Sequence, residues 1–365
     1  MANPRIRLGI IGANPHRGWA ARAHLVAAAA SPDVELTAVC TTQRESADES
    51  ARKFGARFAF ADYREMLAHR EIDAVAVVLR VPAHYEPTMA AIAAGKHVYT
   101  EWPLGQTTAQ AVQMAEAARA RGVQRMVGLQ ARADPAILYL RELIAEGYVG
   151  EVLSCRVSLI REGVLQRTSA RTWQRDVTLG AHTLTIANGH TIDAMRFVLG
   201  DVRSVAAIVG TQVGKWLETD TGKMVDVTSP DTIAVSARLA NGALASVHVA
   251  SVPYAGSGYR MEIYGAEGTL VALSGDSPQL QHVRLEGARR GNALAALEIP
   301  SRFIYVPEQM PRGEPYNVGQ AYHVFAEAIR SGRQCEPGFD TAVKLHRLVD
   351  AIRAASDTGA EQTCA

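Results

Sequence analysis

Residues Gly12-Ala13-Asn14-Pro15-His16-Arg17-Gly18-Trp19 combine glycines, an arginine and a short apolar run just before them, the ingredients of a loop that holds a phosphate. In the dinucleotide fingerprint GxGxxG, the second glycine lets the backbone approach the pyrophosphate and the third lets helix and strand pack closely. Here Asn14 holds the second place and Gly18 comes one residue late. Asparagine tolerates left-handed backbone angles, so a slightly enlarged loop still aims amides at a phosphate. The same residues also read as a plain strand-to-helix turn without a ligand. A second group, Cys40-Thr41-Thr42-Gln43-Arg44, bears on which cofactor enters. An acid there would hold the adenosine ribose 2′-hydroxyl and repel a 2′-phosphate, whereas Thr41, Thr42 and Arg44 suit NADP better than NAD. Arg44 reads equally as a solvated residue opening the next helix.

The elements that would carry these groups alternate as strand and helix over the first 130 residues, the pattern of a parallel sheet covered on both faces. Ile6 to Gly12 is an apolar run ending in glycine, followed by an Ala-rich helix from about Trp19 to Ala30. Glu35 to Cys40 reads as the second strand, with a helix through Ala51. Asp73 to Leu79, Lys96 to Tyr99 and Arg125 to Leu129 supply further strands. Downstream the pattern changes to alternating hairpins. Asp231 to Ala250 turns at Asn241-Gly242, and Tyr259 to Leu273 turns at Ala266-Glu267-Gly268. Val205 to Gly210 is another strand, and helices are expected near 318–329 and 341–355. The Arg-rich segment from Arg161 to Leu179 reads as a loop near a substrate mouth.

A chain of 365 residues suggests two domains. A net charge of +1 gives no electrostatic case for nucleic acid or an anionic membrane. No apolar run reaches membrane-spanning length and the N-terminus lacks a signal pattern, so a cytoplasmic protein is expected. Cys40, Cys155, Cys335 and Cys364 have no metal-binding or disulfide spacing, and no metal site is expected.

Several motifs in the right order resemble the glucose-fructose oxidoreductase, inositol dehydrogenase and MocA-like (Gfo/Idh/MocA) family. They are the opening strand and loop, Val81-Pro82-Ala83-His84-Tyr85, Ala94-Gly95-Lys96-His97-Val98, Glu101-Trp102-Pro103-Leu104, and Glu142 to Glu151. Gly189-His190-Thr191-Ile192-Asp193 and the Met195 to Gly200 run continue the match. The resemblance implies an α/β protein, with an N-terminal Rossmann dinucleotide-binding domain over 1–131 and a C-terminal α/β domain over 132–365 with a large, mostly antiparallel sheet. The helix from about 318 to 329 and the last one, from about 341 to 355, would pack back toward the first domain. It also implies a homo-oligomer, dimer or tetramer, formed through that sheet.

The family places a lysine at Trp102 and an aspartate at Ile186, and neither replacement can carry a proton. His190 keeps the family histidine, and imidazole alone can serve as acid and base. The implied substrate pocket is Trp102, His182, Asn188, Arg161 and Trp173. The implied cofactor contacts are the loop residues Gly12, Asn14, Arg17, Gly18 and Trp19, the group Thr41, Thr42 and Arg44, and Val81, Pro82, His84, Glu101, Trp102 and Gln130. The expected activity is hydride transfer between NADP, or less readily NAD, and an alcohol or carbonyl of a sugar-like or other small polar substrate. Gly18-Trp19-Ala20, Glu101-Trp102 and Gly128-Leu129-Gln130 also resemble a corepressor subgroup acting in the yeast galactose pathway. That resemblance opens a second reading, a cofactor-binding regulator or sensor without turnover.

Overall fold

The computed structural model describes residues 4–364. They form two compact units, residues 4–133 with 304–343 and residues 134–303 with 344–364.

In the first unit, six parallel strands are present among the described residues: β1 (Ile6–Ile11), β2 (Val34–Cys40), β3 (Phe58–Phe60), β4 (Ala74–Val77), β5 (His97–Glu101) and β6 (Arg125–Gly128). Their order, β3-β2-β1-β4-β5-β6, reverses direction between β1 and β4. In such a sheet, ligands bind in the crevice beyond the carboxyl ends of the strands at that reversal. β4 is buried at every residue, as a strand covered by helices on both faces must be. β3 was not anticipated from the sequence. It is a three-residue edge strand of half-buried residues, too short to show a period.

Residues 304–343 belong to this unit rather than to the second domain expected over 132–365. The helix Glu314–Ser331 explains why. Its Val318, Ala321, Tyr322 and Phe325 are buried in one core with Leu8, Ile10, Ala23 and Leu25. The terminal helix Phe339–Thr358 is divided, its first residues counting with the first unit and the rest with the second.

The second unit is built on β7 (Val152–Glu162), β9 (Val202–Gly210), β12 (Thr232–Leu239), β13 (Leu244–Val252), β14 (Gly258–Gly265), β15 (Gly268–Ser274), β16 (Arg284–Arg289), β17 (Ala295–Leu297) and β18 (Gln362–Thr363). Their order is β17-β16-β15-β14-β7-β13-β12-β9-β18, and among the described residues only the β7–β13 pair is parallel. The expected mostly antiparallel sheet is therefore present. In β12, Ile233, Val235, Ala237 and Leu239 are buried while Ala234, Ser236 and Arg238 are exposed. That alternation puts one face against the helices Pro135–Ala145 and Ala187–Leu199 and leaves the other bare.

The segment 161–179, expected as a loop, is more ordered than that. It continues β7 to Glu162, forms β8 (Gln166–Arg167) and makes two short 3-10 turns, Thr172–Arg175 and Val177–Leu179. β8 joins β10 (Lys215–Glu218) and β11 (Met224–Asp226) in a small sheet of order β11-β10-β8. A sparse apolar pattern hid this strap, because polar contacts between segments far apart in the chain hold it. Ser229 Oγ donates to the Gln174 carbonyl at 2.6 Å, and Ser169 Oγ to Asp220 at 2.5 Å.

Candidate cofactor and substrate sites

In the first unit, the predicted cofactor residues all stand at or just beyond the carboxyl ends of the parallel strands. Gly12 follows β1 with φ +90°, and a Cβ there would lie 2.2 Å from the Val78 carbonyl oxygen. Only glycine lets β1 pass that close to the segment after β4. Asn14 does not leave its loop open-ended. Its Oδ1 accepts from the amides of His16 (3.0 Å) and Arg17 (3.2 Å), an Asx turn that fixes the enlarged loop. Gly18 has φ +85° and open space within 4 Å of where a Cβ would stand. From Gly18 the chain is helical through residue 30, with a π-helical turn at Ala20–His24. The leading amides of such a helix and its dipole favour an anion. Trp19 lies in the first turn, and its indole Nε1 is buried without a hydrogen-bond partner among the described residues.

At the end of β2, Thr41 Oγ1 donates to the Gln43 carbonyl at 2.7 Å, and Thr42 is exposed. Arg44 is exposed and forms an ion pair with Asp48 one helical turn later, Nε to Oδ1 at 3.0 Å. Val81 and Pro82 form a 3-10 turn after β4. His84 follows it, wholly buried, with Nδ1 2.8 Å from the Pro103 carbonyl and Nε2 3.0 Å from the Leu79 carbonyl. His84 thus ties the segment after β4 to the segment after β5. Trp102, directly after β5, is 5% exposed and joined to Pro103 by a cis peptide bond.

Glu101 and Gln130 belong to a buried network that the sequence did not reveal. Glu101 Oε1 lies 2.7 Å from His24 Nε2, and His24 Nδ1 lies 2.6 Å from the Tyr322 hydroxyl. Gln130 Nε2 donates to both Glu101 oxygens, at 2.8 and 3.0 Å, and lies 3.2 Å from the Tyr99 hydroxyl. Burial pushes the Tyr99 and Tyr322 hydroxyls well above the usual phenol pKa, so both stay protonated. Gly128 is required by this arrangement, since a Cβ there would come within 2.7 Å of the Glu101 carboxylate. His24 sits in the π-helical turn of an Ala-rich helix, where the only signal in the sequence is one polar residue on an apolar face.

Taken together, these residues fit a dinucleotide. A glycine with an open Cβ direction opens a helix at the crevice, an indole N–H is left over inside the fold, and the neighbouring loops are braced by buried polar contacts.

In the second unit, His182 lies in the turn that enters the helix Ala187–Leu199 and Asn188 and His190 lie in its first turn, with Ile186 at the N-cap position making no side-chain capping bond. Hydrogen bonds from Ile186 N to the His182 carbonyl (2.8 Å) and from Asn188 N to the Thr183 carbonyl (2.8 Å) wind this entry. His190 is 5% exposed. Asn188 is fully buried, and neither its amide oxygen nor its amide nitrogen has a hydrogen-bond partner among the described residues. His182 Nε2 faces Arg353 Nη2 at 3.5 Å. Since guanidinium only donates, His182 accepts at Nε2 and carries its proton on Nδ1, which is buried. Burial first, then the Arg353 charge, push its pKa down to about 3, so it is neutral at any physiological pH and offers a donor rather than a titrating group.

Arg161, at the end of β7, is bound to Asp276 through Nε (2.5 Å) and Nη2 (3.0 Å). Its neighbour across the pair is Ser251 of β13, whose hydroxyl lies 3.2 Å from that of Thr183. This links the β7 end to the His182 turn. Trp173 stands half-buried in the turn Thr172–Arg175. Among the described residues no group of three His, Cys, Asp or Glu side chains is placed to hold a metal ion, and no helix is long and apolar enough to cross a membrane.

Comparison with known proteins agrees with this layout. The profile of the Gfo/Idh/MocA oxidoreductase family with an NAD-binding Rossmann fold matches residues 6–129, and that of the family's C-terminal domain matches residues 137–271. The levoglucosan dehydrogenase of Pseudarthrobacter phenanthrenivorans is 26% identical over 95% of each chain. The galactose/lactose metabolism regulatory protein GAL80 of Saccharomyces cerevisiae is 28% identical over 65% of this chain and 58% of its own. A crystal structure of an NAD-binding oxidoreductase from Klebsiella pneumoniae superposes with a TM-score of 0.85 at 26% identity, covering 99% of this chain and 100% of that one. Sugar dehydrogenases and the galactose regulator thus both stand among the distant relatives. With the two profiles together spanning well over half of its length, the chain belongs to the Gfo/Idh/MocA family of oxidoreductases.

Proposed function

We propose that this chain is an NAD(P)-dependent dehydrogenase or reductase that acts on an alcohol or carbonyl of a sugar-like or other small polar molecule. The observation that carries the reading is Asn188. A buried amide with both polar atoms unsatisfied costs about 1–3 kcal/mol per group unless a ligand pairs with it. It is two residues from His190 and six from the Nδ1–H of His182. Bound nicotinamide supplies the hydride acceptor or donor. His190 takes the proton of the substrate hydroxyl as its carbon loses hydride, and returns it in the reverse direction. Asn188 and His182 orient the reacting oxygen or its neighbours. Trp102, in the place of the family lysine, supplies an apolar wall and no proton.

Two observations favour a second reading, a cofactor-binding regulator without turnover. Trp102 is almost fully buried where the family keeps its lysine, and a regulatory protein is among the relatives. Titrating the protein with NADPH and NADH by cofactor fluorescence, then screening sugars and small carbonyls for turnover, separates the two. Binding with oxidation or reduction of the cofactor supports the enzyme. Tight binding without turnover across a broad panel replaces it with the regulator.

The cofactor favoured is NADP. The Arg44–Asp48 pair is solvent-exposed and costs little to open, which leaves Arg44 beside Thr41 and Thr42 for a 2′-phosphate. Arg44→Ala is expected to weaken NADPH about tenfold, equivalent to ~1.4 kcal/mol, with NADH changing less than about twofold. An unchanged NADPH to NADH ratio would reject the preference.

The bare face of the large sheet is proposed as the surface that joins two copies. A row across it runs Tyr264, Ser154, Leu244, and Ile208 on β9 is 76% exposed. Ile208→Asp is expected to shift the protein from dimer or larger to monomer in light scattering. A wild-type protein that is already monomeric at tens of micromolar would remove this interface.

A further inference from the structure

The strap that follows β7 carries an arginine whose charge the fold does not balance. Arg167, in β8, lays its guanidinium over the indole of Trp216 in β10, carbon to ring centre 4.4 Å. Its Nε is buried with no hydrogen-bond acceptor among the described residues, and no carboxylate is within ion-pair reach of it there. Glu218 and Asp220, at and just after the end of the adjoining strand β10, are committed elsewhere. Glu218, opposite Arg167 in the strand register, accepts from Thr172 Oγ1 (2.6 Å) and Thr221 Oγ1 (2.8 Å). Asp220 accepts from the Ser169 amide (2.7 Å) and hydroxyl (2.5 Å). The other charges that reach Arg167 are like charges. Burial, then Arg171, then Arg161, hold its pKa down to about 10.

A guanidinium that is half-buried, repelled by its neighbours and stacked on an aromatic ring is stabilised by whatever anion arrives. A guanidinium is itself a planar fork of donors suited to the two oxygens of an oxyanion. The strap is not remote from the polar turn of this unit. Val164 N donates to the Val252 carbonyl at 3.3 Å, and the adjoining β13 residue Ser251 contacts Thr183, next to His182. The arginine-bearing strap and the turn that leads to His190 are thus anchored at the same end of β7 and β13.

We infer that Arg167, stacked on Trp216, is an oxyanion-binding position of the second unit, and that the small molecule this unit takes carries a carboxylate or a phosphate monoester. This deepens the dehydrogenase reading by naming a substrate class. It rests on the second unit being the substrate unit, and not on hydride transfer.

The test is binding to the full-length protein without cofactor, so that its failure is separable from a failure of catalysis. D-Glucuronate, D-glucose 6-phosphate and uncharged D-glucose are titrated at constant ionic strength, by calorimetry and by tryptophan emission. One of the two anions is expected to bind at least about tenfold tighter than glucose, and which one does so distinguishes carboxylate from phosphate. Arg167→Gln is expected to remove that advantage and Arg167→Lys to restore part of it. Trp216→Phe is expected to keep the advantage while losing the emission change. Equal binding of the three ligands, or an advantage that survives in Arg167→Gln, overturns the inference.

Discussion

Replacing His190 by Ala is expected to lower the rate of hydride transfer by about 10³-fold while the dissociation constants of NADPH and NADH stay within about twofold. The size of the loss follows from what else stands at the family's proton-transfer positions. Trp102 and Ile186 cannot titrate, and His182 is held neutral by burial and by Arg353, so neither those positions nor His182 can take over the proton. The selectivity of the loss follows from the fold. His190 lies in the second unit, on the helix Ala187–Leu199, whereas the loop 12–18, the β2 end and the turn at Val81 all belong to the first. His190→Gln provides the control for packing, since it keeps a polar side chain of similar reach but cannot exchange a proton at neutral pH. Equal losses in the two variants assign the effect to proton transfer. Activity within about threefold of wild type in either one removes His190 from the reaction.

The expectation for His182→Asn is different in kind. A neutral donor that orients an oxygen raises KM and lowers kcat modestly when lost, while the pH dependence of the rate keeps its shape.

The fold was legible wherever one element could be read without its neighbours. Buried parallel strands such as Ala74–Val77 are continuous apolar runs, and Asn241-Gly242 between alternating runs marks a hairpin directly. What could not be read depends on residues far apart in the chain. The helix Glu314–Ser331 joins the first unit because Tyr322 and Phe325 fill a core begun by Leu8 and Ile10; the family resemblance implies that packing, but no residue pattern within 314–331 does. The same limit applies to the site. Gly12, Asn14 and His190 carry local signals, and Asn14 does hold a turned loop, though by capping amides with its own side chain rather than by freeing them. Arg161 is bound to Asp276, 115 residues away, and no local signal announces that pairing. The network around Glu101 draws on residues 24, 99, 130 and 322, and only the folded chain brings them together.

That network sets the second large effect. His24→Phe keeps a ring of similar volume against Trp19, Tyr99 and Tyr322 but removes both hydrogen bonds of the imidazole. The Tyr322 hydroxyl then loses the acceptor or donor it has at His24, and Glu101 keeps Gln130 but loses its closest partner, all inside a region with almost no solvent. Leaving a buried carboxylate short of a partner and a buried hydroxyl short of another costs about 3 kcal/mol. For a unit of this size that is a fall of roughly 6–12 °C in its melting temperature. Glu101→Gln is expected to cost less, because a neutral amide is less expensive to leave partly satisfied. The cofactor affinity is expected to fall with His24→Phe as well, since Glu101 immediately precedes Trp102 and His24 lies in the helix that opens at Gly18. A His24→Phe protein that melts within about 2 °C of wild type would show that the imidazole bonds add little to the packing of its ring, and the bracing role assigned to His24 would fall with it.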